Sequence, residues 1–151
     1  MSIDPELLAA YKNAEYVVFS DGCFSDLTTK QQLAILVDKP SRRLQALMEK
    51  KHCKQAAFIT AYNPHSVAMT ESENLIAQAK LIKLLHNMGL EFIEGVGRDP
   101  QRLWPEEKSV LVLNISKQQA LNLARQFRQN AIVWIEADGI GKLLLLDDQS
   151  Q

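Results

Sequence analysis

The sequence predicts an α+β fold whose centre is a split βαβ, ferredoxin-like core over residues 56–136. Two observations carry this. Apolar runs rich in strand formers alternate with helical segments in the order β-α-β-β-α-β. Both helices open on capping boxes, Thr70-Glu71-Ser72-Glu73 and Ser116-Lys117-Gln118-Gln119, in which a hydroxyl and the third helical side chain satisfy each other's backbone N–H. Such crossovers give a four-stranded antiparallel sheet with two helices on one face. An N-terminal β-β-α segment and a C-terminal strand extend it. The alternative is a three-layer α/β arrangement with helices on both faces. A chain of 151 residues fits a single domain, taken here as 1–151.

Taken in order, Asp4-Pro5-Glu6 opens a helix, with an aspartate N-cap and proline at the first position, ending near Asn13. Glu15 to Ser20 reads as a strand. Asp21-Gly22 is a turn signal, and residues 21–32 form a polar connection. Leu33 to Val37 is a second strand. Pro40-Ser41 starts a helix reaching about Cys53, with Leu44, Leu47 and Met48 as its apolar stripe and Arg42, Arg43 and Lys50 on its solvated side. Ala56 to Tyr62 is a buried strand. Asn63-Pro64 ends it, because proline has no N–H for a ladder and restricts the residue before it.

The next helix runs from its Thr70 cap to about Met88, with Gly89 as the C′ residue. Glu91 to Val96 is a strand, broken by Gly97-Arg98-Asp99-Pro100, and a polar loop follows to Lys108. Gly95-Val96-Gly97 opens no helix, so it is read as a bulge or tight bend and not as a dinucleotide fingerprint. Ser109 to Ile115 is a strand, and the helix after it reaches about Arg128. Gln129-Asn130 closes that helix, with Asn130 suited to a left-handed conformation. Ala131 to Glu136 and Lys142 to Leu146 form a hairpin across Asp138-Gly139-Ile140-Gly141, and the tail from Asp147 frays.

Composition excludes several classes. A net charge of −1 sets up no field for nucleic acid or an anionic membrane. Cys23 and Cys53 have neither metal-ligand nor redox spacing and suit a reducing cytosol. Met1 to Pro5 lacks the basic, then apolar, start of a signal peptide, and no apolar run approaches membrane length. The expectation is a cytoplasmic protein without a membrane partner, metal or cofactor.

The helix after Thr70 carries an anomaly. Lys80, Lys83 and Asn87 share a polar face, and Leu75, Leu81, Ile82, Leu85 and Met88 lie on the other side. Asn74 and Gln78 fall in the middle of that apolar side. A buried amide without partners costs about 1–3 kcal/mol. One turn into the helix, Asn74 should point back to the Asn63–Ser66 loop, either as a clamp on that loop or as a ligand-binding amide.

The segments FITAYNPHS, ESENLIAQAKLIKLL, GVGRDPQRLWPEEKSVLVLNIS and ALNLARQFRQNAIVW together resemble the bacterial domain of unknown function 3293. The resemblance covers about residues 56–135. It rests on Thr60, Ala61, Asn63, Pro64 and Ser66, on Asn74, on Gly95, Gly97, Asp99 and Pro100, on Trp104, Pro105, Glu107 and Ser109, and on Phe127, Gln129, Asn130 and Ala131. The family's usual glycine before the final Gln-Asn is Arg128 here. The resemblance implies no known activity; it implies that these polar positions belong to one unit.

The candidate ligand-binding residues are Thr60, Tyr62, Asn63, Ser66 and Asn74 at the first strand's end, Arg98, Asp99, Trp104 and Glu107 around the later loop, and Gln129 and Asn130 at the last helix's end. Such loops need not share one rim. Amides, hydroxyls and a tryptophan orient small polar ligands, and Arg98 suits a carboxylate or phosphate. Nucleic acid would need Tyr62 and Trp104 for stacking, with Arg42, Arg43 and Lys50 around them, and the neutral charge counts against it. The expectation is a binding module for a small polar or nucleotide-like ligand or a protein partner. The alternative is a hydrolase or transferase using Glu107 as general base.

Overall fold

The structure is a computed structural model that describes residues 4–20 and 31–146. The Asp21-Gly22 turn, Cys23 and the tail lie outside the described residues. The chain runs α1 (Pro5–Asn13), β1 (Glu15–Ser20), β2 (Gln31–Ile35), α2 (Arg42–Lys50), β3 (Gln55–Thr60), a 3₁₀ turn at Pro64–Ser66, α3 (Glu71–Asn87), β4 (Phe92–Arg98), β5 (Glu107–Leu113), α4 (Lys117–Gln126), β6 (Ala131–Glu136) and β7 (Gly141–Leu145). Among the described residues, no helix is long and apolar enough to cross a membrane.

The seven strands form one sheet in the order β2-β1-β4-β5-β3-β6-β7, with every neighbouring pair antiparallel. Successive side chains of a strand point to opposite faces, so each central strand serves two cores. On one face Val18, Ile35, Phe58, Leu111, Val133 and Ile135 pack with Leu44 and Met48 of α2. On the other, Ile59, Val110, Val112 and Trp134 pack with Leu81 and Leu85 of α3 and with Ala120, Leu123 and Ala124 of α4. Helices α3 and α4 therefore share a face, as expected. Helix α2 covers the opposite one, so the fold is mixed α/β with helices on both sides of the sheet.

The sheet curls towards α2. Tyr16 of β1 and Phe58 of β3 are separated by two strands, yet their rings meet edge to face with centroids 5.3 Å apart. The two edge strands also approach each other. Asp38 N–H donates to the Gly141 carbonyl at 2.8 Å, Pro40 bridges Ile140, and Lys142 Nζ lies 3.5 Å from Asp38 Oδ1.

The glycine pair corrects an expectation. Strand β4 does not break at Gly97. Both glycines pair regularly, Gly95 with Val18 and Ser109, Gly97 with Tyr16 and Glu107, and there is no bulge. A Cβ on Gly95 would run into the Val17 carbonyl oxygen and the Phe58 ring, so the curl at this point requires glycine. A Cβ on Gly97 would meet nothing within 4 Å. The left-handed residue after α4 is also misplaced by the sequence reading: it is Arg128, at φ 55°, and not Asn130.

Candidate functional site

Helix α2 covers the concave face where β3 begins, packing among Ala56, Leu113 and Ile135. At the other end of these strands the concave face opens into a cleft of about 310 Å³. Its floor is Phe58, Thr60, Gly97 and Ser109; its walls are the loop after β3, Trp104 and Pro105 before β5, and Leu7, Ala10 and Tyr11 of α1. Glu107, expected in a loop, is the first residue of β5 and faces this space.

The loop after β3 is unusual backbone. Asn63, His65 and Ser66 all have positive φ, 48°, 54° and 61°. Non-glycine residues in this region cost about 1–3 kcal/mol each and persist where surrounding bonds over-determine them. Those bonds are present. Asn63 N–H donates to Asn74 Oδ1 at 2.9 Å, and Asn74 Nδ2 donates to Asn63 Oδ1 at 2.9 Å. Met69 N–H donates to the same Asn63 oxygen at 3.0 Å, and His65 N–H donates to the Arg128 carbonyl at 2.7 Å. Gln78 Oε1 accepts Ala61 N–H at 3.1 Å. The two amides buried on α3 thus hold the end of β3.

Held this way, Asn63 turns its Nδ2 to Glu107 Oε2 at 2.7 Å. Glu107 is half-buried, and desolvation raises its carboxyl above the ordinary value, with the Asn63 hydrogen bond opposing the rise. Its Oε1 accepts no hydrogen bond among the described residues. Around it, Thr60 Oγ1 donates to the Lys108 carbonyl at 2.6 Å and accepts Tyr62 N–H at 3.0 Å. Gln129 Nε2 donates to the carbonyls of Tyr62 and Phe127 at 3.1 and 3.2 Å. Tyr62 OH donates to Glu71 Oε1 at 3.1 Å; burial and this bond push the phenol up to about 12. Helix α1 is tied on by Tyr11 OH and Ser66 Oγ, 2.6 Å apart, with Asn130 Nδ2 donating to both at 3.2 and 3.1 Å. Tyr16 OH donates to the Tyr11 carbonyl at 2.6 Å, and burial raises its phenol.

Seven of the eleven sequence candidates line this one cleft: Thr60, Tyr62, Asn63, Ser66, Trp104, Glu107 and Gln129. Asn74 and Asn130 stand behind its wall, bonded to lining residues. Arg98 and Asp99 are not in it. Arg98 Nε pairs with Glu15 at 2.9 Å, and Asp99 accepts the N–H groups of Gln101 and Leu103, closing its own loop. Arg42, Arg43 and Lys50 lie exposed on α2, which packs at the far end of the strands, so they do not surround Tyr62 and Trp104. Sequence reasoning missed Tyr11, Tyr16, Phe58 and Gly97. Tyr16 and Phe58 carry the same signal as any core aromatic, and nothing near Tyr11 marks it as facing Ser66.

The family described as protein of unknown function (DUF3293) matches residues 59–132. Through that segment the chain belongs to this family. No curated protein and no solved structure matches the chain. The DUF3293 segment contains every candidate from Thr60 to Asn130, whereas α1, Tyr16 and Phe58 lie before it. The cleft is therefore closed by chain outside the matched region.

Proposed function

We propose that the cleft is the binding site of a small polar molecule, in a cytoplasmic protein. One observation carries this reading: family-motif residues from three separate stretches of the chain converge on a single preformed cleft. Its volume of about 310 Å³ lies at the small end of ligand pockets. The left-handed backbone at Asn63, His65 and Ser66 borders it, and strained residues of this kind cluster at ligand sites. The order β4-β5-β3-β6, with α3 and α4 on one face, supports reading residues 56–136 as a split βαβ core that carries the site on its strand ends.

The test uses the open floor of the cleft. Gly97→Leu extends a side chain from the floor into the cleft, starting from a Cβ that meets nothing within 4 Å, and occupies the space between Tyr16 and Glu107. A metabolite library screened by thermal shift should yield compounds that stabilise the wild type and leave Gly97→Leu unmoved. Compounds that shift both proteins alike bind elsewhere, and a screen yielding only those defeats the reading.

A second reading has its own observation. A carboxyl raised by burial and aimed by an amide is what a general base needs, since its efficiency peaks when its pKa nears the working pH. On this reading the family member is a hydrolase or transferase, and Glu107→Gln removes turnover while a bound ligand still protects the fold.

A further inference from the structure

We infer that the cleft takes an organic ammonium, a compact amine with an apolar body, and rejects carboxylates and phosphates. This deepens the binding reading and rests on it.

The first argument is the charge in the cleft. Among the described residues, Glu107 is the only charged side chain lining it, and no lysine, arginine or histidine lines it. Arg98, one residue beyond the lining Gly97, is held by Glu15 outside the lining. An anionic ligand would sit beside a carboxylate with no counter-charge, which half-buried surroundings penalise.

The second argument is the direction of the hydrogen bonds. Most polar protons of the lining side chains are spent on the protein itself. Thr60, Tyr16 and Ser109 donate to backbone carbonyls, Gln129 Nε2 to two of them, Tyr62 OH to Glu71, and Asn63 Nδ2 to Glu107. Glu107 Oε1 and Gln129 Oε1 accept nothing among the described residues. Apart from the second Nδ2 proton of Asn63, the indole N–H of Trp104 and one hydroxyl proton of the Tyr11–Ser66 pair, the side chains offer acceptors, and acceptors select donors. An ammonium is three donors and a positive charge.

The third argument is the aromatic lining. Tyr11, Tyr16, Phe58, Tyr62 and Trp104 all border the cleft. Ring faces attract cations and accommodate an apolar body. Burial raises the carboxyl of Glu107, and no cationic side chain among the lining residues offsets the rise. A bound ammonium would draw it back down, with loss of a proton from any protonated fraction.

The test is calorimetric titration of the full chain with three probes on one skeleton: 2-phenylethylamine, 2-phenylethanol and phenylacetate. A blocked lysine amide run beside them separates a free amine from the lysine side chain of a protein; binding of either supports the inference, and the tighter names the source. The amine should bind at least about tenfold tighter than the alcohol, and phenylacetate should be the weakest. Glu107→Gln should bring amine and alcohol to within about twofold of each other. Should that variant fail to fold, the wild-type ranking still decides. An alcohol or carboxylate that binds as tightly as the amine overturns the inference and leaves the binding site standing. Silence from every probe up to about 10 mM also overturns it, and the Gly97→Leu library comparison then reads separately whether the cleft binds anything.

Discussion

Replacing Asn74 with alanine removes two hydrogen bonds to Asn63, each 2.9 Å long, and leaves the Asn63 N–H pointing into the space vacated. Each net hydrogen bond contributes about 1 kcal/mol, and a stranded donor costs about 1–3 kcal/mol more. The left-handed Asn63 also loses part of what holds it at φ 48°. The sum is about 3–5 kcal/mol. For a chain of this size each kcal/mol moves the melting temperature by about 2–4 °C, so a fall of about 10 °C is expected. Scanning calorimetry measures it, with Asn87→Ala, on the exposed face of the same helix, as the control that should stay near the wild type. Asn74→Asp keeps an acceptor for the Asn63 N–H but loses the donor to Asn63 Oδ1, and should fall between the two. A melting temperature for Asn74→Ala within about 2 °C of the wild type would refute the clamp and, with it, the account of how Asn63 is aimed at Glu107.

Three further outcomes follow from the geometry. Gly95→Ala should destabilise by about 1–3 kcal/mol in urea unfolding, because its Cβ meets the Val17 carbonyl, whereas Gly97→Ala, two residues on, should be within about 0.5 kcal/mol of the wild type. Arg128→Gly should stabilise by about 1 kcal/mol, since Arg128 occupies a left-handed position that glycine adopts without a Cβ clash; an unchanged urea midpoint would contradict this. Glu107 gives a pH dependence of definite sign. Its folded pKa lies above the ordinary 4.5, so the folded state holds the proton more tightly. The stability it contributes is full below about 4.5 and is lost as pH rises through the raised value. Glu107→Gln lacks this term, so its melting temperature relative to the wild type should climb across that window and then level off; a gap independent of pH would contradict the raised carboxyl.

Much of this was legible because the signals are local. The Thr70 and Ser116 caps join groups three residues apart, and both boxes form as the sequence indicates. Asn74 and Gln78 stand out because helical spacing alone puts them among leucines, and both are buried. What was not legible depends on contacts distant in sequence. The pairing of Tyr11 with Ser66 spans 55 residues, so α1 gave no sign that it walls the cleft. The two glycines of β4 look alike in the chain; only the curl of the sheet makes one a close approach and the other an open floor. Arg98 and Asp99 read as ligand groups because a loop's polar residues do not say whether they face a cavity or their own backbone. The site was sensed as a cluster of polar positions, and its character, acceptors and rings around one carboxylate, came from the fold.

The most direct measurement is a proton–nitrogen correlation spectrum recorded during a fragment screen, on the wild type and on Gly97→Leu. If the polar residues form one binding site, fragments should move the side-chain amides of Asn63 and Gln129 and the indole N–H of Trp104 together in the wild type and leave them still in the variant. Shifts that scatter over the surface, or that persist with the floor of the cleft filled, would contradict a shared site.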